Sequence, residues 1–183
     1  TIGDYLRDIY QQKIEEDHPE FAKHAEAVDE KIDALMNIKG SRTPLSFQKE
    51  LGDIMWNYCG MSRNAEDLKK ALELIPALRK EFWSELKVAG TKDSFNQSLE
   101  RAGRVADFLE FAELMCKDAL ERDESCGCHL REEHVHEDGE AKRDDEKFSY
   151  VAAWEWMGEN VAHQLHTEQL DHQALKPTTR SYK

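Results

Sequence analysis

The sequence predicts an all-α fold, in which three long helices form an antiparallel bundle, one further helix precedes them and an extended tail follows. Three observations predict it. Between Asp17 and Arg122 apolar residues recur at spacings of three and four, the period of a helix with one buried face. Capping residues, prolines and glycines divide that span into four segments. From Asp123 the helical period stops, and towards the C-terminus a period of two replaces it.

The first segment, Thr1 to Asp17, holds too few apolar groups for a core and reads as a lead-in, with Ile2, Tyr5, Leu6 and Ile9 available for docking. The second runs from Asp17 to Gly40, with Pro19 in its first turn and a stripe of Phe21, Ala25, Val28, Ile32, Leu35 and Met36. Thr43-Pro44 opens the next helix, a capping side chain followed by proline at the first helical position. Its stripe is Phe47, Leu51, Ile54, Met55 and Tyr58, and Gly60 ends it. Asn64, with Asp67 three residues on, starts the following helix, whose stripe is Leu68, Leu72, Ile75, Leu78, Phe82, Trp83 and Leu86. Pro76 falls inside it; because the apolar phase continues across the proline, a kinked single helix is expected.

The last helix, Asn96 to Arg122, is the most apolar. Leu99, Ala102, Val105, Ala106, Leu109, Ala112, Cys116, Ala119 and Leu120 make one face, and Phe108, Phe111 and Met115 widen it. So broad a face predicts burial against more than one neighbour. Short connections between such helices give a spectrin-repeat-like antiparallel bundle. Trp56 and Trp83 are expected in its core. The predicted organisation is therefore a bundle with its lead-in over residues 1–122 and a tail over 123–183. In the tail Phe148, Tyr150, Ala152, Trp154 and Trp156 alternate with less apolar residues, as in a strand with one buried face. A turn at 157–160 and a return strand at 161–166 would make a hairpin, whose aromatic face requires a surface to lie on.

Composition removes several function classes. The 25 basic and 38 acidic residues give a net charge of −13, the wrong sign for a surface that neutralises phosphates, so nucleic acid is not an expected partner. No apolar run approaches the ~20 residues that cross a bilayer, and no leader opens the chain, so a soluble, unexported protein is expected. Cys126 and Cys128 are separated by one glycine, a spacing that strains a disulfide and suits a reducing compartment. The chain starts at Thr1 without an initiator methionine and is expected to be part of a longer protein.

Chemistry is to be sought first between Asp123 and Glu146. Cys126, Cys128, His129, His134 and His136 are suitable zinc donors, but structural sites separate their cysteines more widely, and the acids around the histidines describe a solvated loop equally well. A free-standing helical metal-binding or interaction module centred on Cys126, Cys128 and His129 is thus one alternative. Ser125, Cys126 and His129 are of types that serve in nucleophilic or acid–base catalysis, yet the sequence supplies no orienting partner. Neither a Gly-x-Gly-x-x-Gly fingerprint nor a phosphate loop is present.

The same stretch resembles the C-terminal region of the flavoprotein subunit of succinate dehydrogenase and fumarate reductase. In that family a bundle helix ends in Arg-x-Glu-Ser-Arg-Gly-Ala-His-x-Arg, and an Arg-Asp-Asp-Glu string follows. The matching residues are Arg122, Glu124, Ser125, Gly127, His129 and Arg131, then Arg143, Asp144, Asp145 and Glu146. The Gly60-Met61 turn, Asn64, the 104–107 segment and the Arg180-Ser181-Tyr182 ending extend the resemblance over essentially the whole chain. Cys126 stands where many members have arginine and Cys128 where they have alanine; a cysteine at the first of these positions, with the longer insert through Gly139, is associated with the subgroup of anaerobic bacteria. Aspartate oxidase shares the loop and is the alternative relative.

The resemblance implies an oxidoreductase interconverting succinate and fumarate, with electrons passing through FAD to iron–sulfur clusters and a quinone. In the family the flavin and substrate sites lie upstream of this region, so no catalytic, cofactor or metal residue is expected here, and the chain alone is expected to be inactive. Glu124, Ser125, Gly127, His129, Arg131, Arg143 and Asp144 are then expected to form a domain-interface motif. Implied partners are the flavin-binding domain of the same polypeptide, across which the tail would run, together with iron–sulfur and membrane-anchor subunits. The implied location is cytoplasmic, on the inner face of the cell membrane.

Overall fold

A computed structural model describes residues 2–9, 15–158, 161–175 and 177–178. Helices α1 (Ile2–Ile9), α2 (Pro19–Asn37), α3 (Pro44–Tyr58), α4 (Ala65–Glu85), α5 (Gln97–Glu121) and the short α6 (Asp145–Phe148) carry the fold. Strands β1 (Ser62–Arg63) and β2 (Leu130–Arg131) pair in parallel, and β3 (Tyr150–Glu155) and β4 (Gln164–Gln169) form an antiparallel hairpin.

Local chemistry fixes the helix starts. Thr43 Oγ1 accepts from the Ser46 amide ahead of Pro44, and Asn64 Oδ1 accepts from the Asp67 amide at 2.8 Å. Asn96 Oδ1 takes the amides of Ser98 and Leu99 while its Nδ2 ties down the carbonyls of Ala89 and Thr91. Each such cap contributes about 1 kcal/mol by satisfying an orphan donor. Helix α4 continues unbroken through Pro76, so the in-phase apolar spacing identified one helix correctly.

The chain divides into two compact units. The first comprises residues 1–49 and 79–108, the second 50–78 and 109–183. The first unit thus takes the start of α3, the end of α4 and the start of α5, and the second takes the complementary halves.

In the first unit Phe47 and Phe82 are fully buried edge to face at 5.3 Å, with the Arg42 guanidinium 4.0 Å above the Phe47 ring. Burying two such rings stabilises by roughly 1.5–3 kcal/mol each. The chain after α2 lies flat against the end of α4, where Gly40 N–H donates to the Leu86 carbonyl. A Cβ on Gly40 would fall 2.0 Å from the Glu85 carbonyl, so the approach requires glycine. Lys31 pairs with Asp107 at 2.9 Å and Lys92 with Asp33 at 2.5 Å, joining α2 to the α5 end of this unit.

The core of the second unit is built from Leu51, Ile54 and Cys59 of the α3 side, Leu68, Ala71, Ile75 and Leu78 of α4, and Leu109, Ala112, Cys116 and Ala119 of α5. The hairpin lies on α5. Trp154 donates its indole N–H to Asp118 Oδ1 at 2.7 Å, and the Lys117 ammonium stands 4.7 Å over the same ring. The aromatic face that requires a surface therefore finds one on α5 for Trp154, while Trp156 stays exposed.

Four expectations need correction. Only Leu35 of the α2 stripe is fully buried, and Phe21 and Val28 are exposed, because the first half of α2 is not covered by other described residues. Phe108, Phe111 and Met115 also stay exposed, so the face of α5 is buried more narrowly than its composition suggested. Trp56 is 81 % exposed and Trp83 half-exposed, the first lying off the buried stripe of α3. The return strand is 164–169 rather than 161–166, with Trp154 opposite Leu165, and the connection is correspondingly longer. The lead-in forms α1, with Tyr5 and Leu6 exposed. Residues 159 and 160 of the expected turn and the Arg180-Ser181-Tyr182 ending lie outside the described residues.

Candidate functional site

Helix α5 ends with no basic residue in its last turn, leaving carbonyls and the negative end of the dipole uncompensated by its own side chains. The loop that follows supplies both missing functions. Arg131, 2 % exposed, donates Nη1 to the carbonyls of Ala119 at 3.1 Å and Leu120 at 3.4 Å. Its other nitrogens reach Asp123 Oδ1 at 3.1 Å and Glu133 Oε2 at 3.2 Å. His129 adds a third cap, with Nε2 2.8 Å from the Arg122 carbonyl.

The partner of the second ring nitrogen fixes the tautomer of that histidine. Arg63 Nη1 lies 2.9 Å from His129 Nδ1; since guanidinium can only donate, Nδ1 accepts and Nε2 carries the proton. Burial pushes the His129 pKa below its usual value, and the charges of Arg63, Arg131 and Arg122 push the same way, outweighing the Arg122 carbonyl. The ring is held neutral.

Glu133 does for α4 what Arg131 does for α5. Its Oε1 accepts from the Ala65 amide at 2.5 Å, an orphan donor of the first turn of α4. Burial raises its pKa, but the bonds from that amide and from its own N–H, together with Arg131, outweigh burial and lower it. Glu132 accepts from Ser62 Oγ at 2.8 Å, and its amide donates to the Arg63 carbonyl, extending the β1–β2 pairing. The loop therefore clasps two helix ends of opposite polarity with a joined Arg–Glu pair.

Ser125 and Glu124 hold the clasp from inside. Ser125 is fully buried; its Oγ accepts from the Arg131 amide at 2.8 Å and donates to the Arg131 carbonyl at 3.1 Å. Buried Glu124 accepts from Arg122 Nη1 at 2.6 Å and from the Asp144 amide at 2.8 Å. Arg122 also donates to the carbonyls of Phe148 and Tyr150, so the base of the hairpin is tied to the same acid. Asp144 caps α6 through the Lys147 amide, and Arg143 pairs with Asp145 through both carboxylate oxygens. Gly127 is the first residue of a tight turn closed by reciprocal Cys126–His129 backbone bonds of 2.9 and 3.0 Å; its φ of +60° is why glycine stands there.

All seven residues of the sequence motif fall in this one construction, but with unequal access. Glu124, Ser125 and Arg131 are buried within the second unit, His129, Arg143 and Asp144 are half-buried, and Gly127 is exposed. Ser125 is not poised as a nucleophile, since its hydroxyl is committed to the Arg131 backbone. His129 has both nitrogens committed. Among the described residues no three His, Cys, Asp or Glu side chains are arranged to hold a metal ion, and nothing favours the metal-module reading. The described residues also contain no strand–glycine loop–helix cradle of the kind that fits a flavin dinucleotide. Sequence reasoning missed Arg63, Asp123, Glu133 and the Asp118–Trp154 bond. Glu132 and Glu133 read as solvent-facing acids because the amide and hydroxyl they satisfy lie about seventy residues upstream.

The family described as fumarate reductase flavoprotein C-term matches residues 48–182, which is most of the chain and all of the clasp. The chain belongs to that family. Among curated relatives, the fumarate reductase flavoprotein subunit of Proteus vulgaris is 30 % identical over 121 residues, covering 66 % of this chain and 19 % of the relative. The protein of the same description from Escherichia coli is 28 % identical over 124 residues, covering 68 % and 20 %. This member of the fumarate reductase flavoprotein C-terminal family thus spans about a fifth of those relatives. In fold it is similar to a mutant quinol fumarate reductase of E. coli, with a TM-score of 0.77 at 24 % identity over 92 % of this chain and 28 % of that one. The Sdh1 complex of Mycobacterium smegmatis gives a TM-score of 0.67 at 21 % identity, covering 81 % and 24 %.

Proposed function

We propose that this chain is the C-terminal scaffold domain of a flavoprotein subunit that interconverts succinate and fumarate. The observation that carries the reading is the family match across residues 48–182, which includes the whole double cap. In this reading FAD and the substrate are held by the rest of the subunit, and the chain contributes shape and rigidity rather than reacting groups. The described residues offer no flavin cradle, and Ser125, His129 and Arg131 spend their hydrogen bonds on backbone and on one another. Arg143 and Asp144, half-buried at the edge of the clasp, are left for contact with the flavin-binding domain.

Electrons would pass to an iron–sulfur subunit, then to quinone through a membrane-anchor subunit. The quinol fumarate reductase neighbour supports membership of such a complex, and no helix among the described residues is long and apolar enough to cross a membrane. A peripheral place on the inner face of the cell membrane follows from the reading. It is tested on the intact subunit: flavin content and succinate-dependent reduction of an acceptor dye are expected, together with fumarate reduction by a low-potential donor. An intact subunit that carries flavin but oxidises L-aspartate instead of succinate would overturn the succinate assignment in favour of an aspartate oxidase.

A further inference from the structure

The double cap absorbs every residue of the 122–133 loop that can hold a helix end, and leaves two that it does not use. Cys126 and Cys128 are both free and exposed, whereas Cys59 and Cys116 are buried. They flank Gly127, so their Cα atoms are joined by two virtual bonds of about 3.8 Å folded at a tight turn. That places the Cα atoms ~5.5–6 Å apart, inside the span a disulfide bridges. The two thiols differ in surroundings. Cys126 lines a cavity of about 330 Å³ together with Arg122, Arg143 and His172, and Cys128 does not. Arg143 is close enough to Cys126 to interact with it electrostatically, although Asp145 is its main partner.

We propose that Cys126 and Cys128 form a dithiol site that exchanges with small disulfides of the glutathione class, Cys126 taking the incoming group and Cys128 resolving it. The Cys126 thiolate attacks one sulfur of the small disulfide, forming a mixed disulfide and releasing one small thiolate. The Cys128 thiolate then attacks the Cys126 sulfur, closing the protein disulfide and releasing the second. Two electrons pass from the protein to the small disulfide, which leaves as two thiols after taking up the two protons. Closure over a single glycine strains the bond, and a strained, exposed disulfide is readily reduced. The pair therefore cycles rather than locks, which agrees with a spacing unsuited to a permanent crosslink. The site is independent of the succinate reading, because it uses neither flavin nor substrate.

The test equilibrates the intact subunit anaerobically in a series of reduced and oxidised glutathione ratios, quenches with acid, alkylates and maps the peptides by mass. The expected result is reversible loss of two hydrogens from the peptide carrying Cys126 and Cys128, with Cys59 and Cys116 still alkylated after denaturation. Cys128→Ser should accumulate one glutathione on Cys126, an adduct the unsubstituted chain does not retain. The proposal is overturned if both thiols stay reduced throughout, if stable glutathione adducts or crosslinked dimers form in place of the internal disulfide, or if Cys128 rather than Cys126 carries the trapped adduct.

Discussion

Arg131 joins the two capped helix ends, and its length and planarity explain how. One guanidinium satisfies two carbonyls at the end of α5 and two carboxylates at once. Lysine would bring the charge to a point and could not span all four. Arg131→Ala is expected to destabilise by about 1–3 kcal/mol, because it takes the donor from the carbonyls of Ala119 and Leu120, while the more exposed Asp123 and Glu133 keep other partners. Arg131→Lys should recover only part of that loss in denaturant titrations followed by helical circular dichroism. His129 gives a pH signature. Its folded pKa lies below the ordinary histidine value, so the unfolded chain binds the proton more readily. Its contribution is fully present above the unfolded pKa of about 6.5 and is lost as pH falls from there through the lower folded value. His129→Gln keeps one donor and one acceptor without titrating, and should flatten the fall in stability as the pH drops below about 6.5. A fall unchanged in the variant would show that other groups cause it. The residue types of the loop were legible in the sequence, and their roles were not. Sequence pattern reports neighbours three or four positions away, whereas Arg63 meets His129 from 66 positions upstream.

At the scale of elements, the turn and the hairpin make opposite demands. The Cys126–His129 turn depends on a left-handed residue, so Gly127→Ala should cost about 1–2 kcal/mol through backbone strain alone, since open space surrounds the position. The hairpin depends on a side-chain bond. Trp154→Phe keeps most of the apolar area and removes the donor to Asp118, and should cost roughly 1 kcal/mol. The faster amide exchange that follows should appear in β3 and β4 and leave α4 unchanged; uniform exchange throughout would mean that the hairpin is not seated on α5 by this bond. Elements with strong local signals were read well. Thr43-Pro44, Asn64 and Asn96 announced helix starts, because a cap is a short-range hydrogen bond. Burial was read less well, because amphipathic spacing states which face can be buried and not whether a partner is present. The exposed first half of the α2 stripe shows this directly.

For the molecule as a whole, the family supplies what the periodicity could not. The bundle alone is a generic way to bury three stripes, and it says nothing about chemistry. The family match joins this bundle to flavoprotein subunits about five times its matched length, and in the proposed reading the exposed Phe21, Val28, Phe111 and Trp56 become surfaces for further chain to cover. The central claim is that the 123–145 loop is a clasp between helix ends and not a reactive centre. In the proposed reading it is tested most directly by fumarate turnover per bound flavin in the intact subunit carrying Ser125→Ala. Loss of the Ser125 hydroxyl leaves the buried Arg131 amide unsatisfied, so the melting temperature should fall, while turnover per flavin well below that temperature stays within about a factor of two. A loss of turnover on the order of a hundredfold, with flavin content and melting temperature unchanged, would contradict the claim.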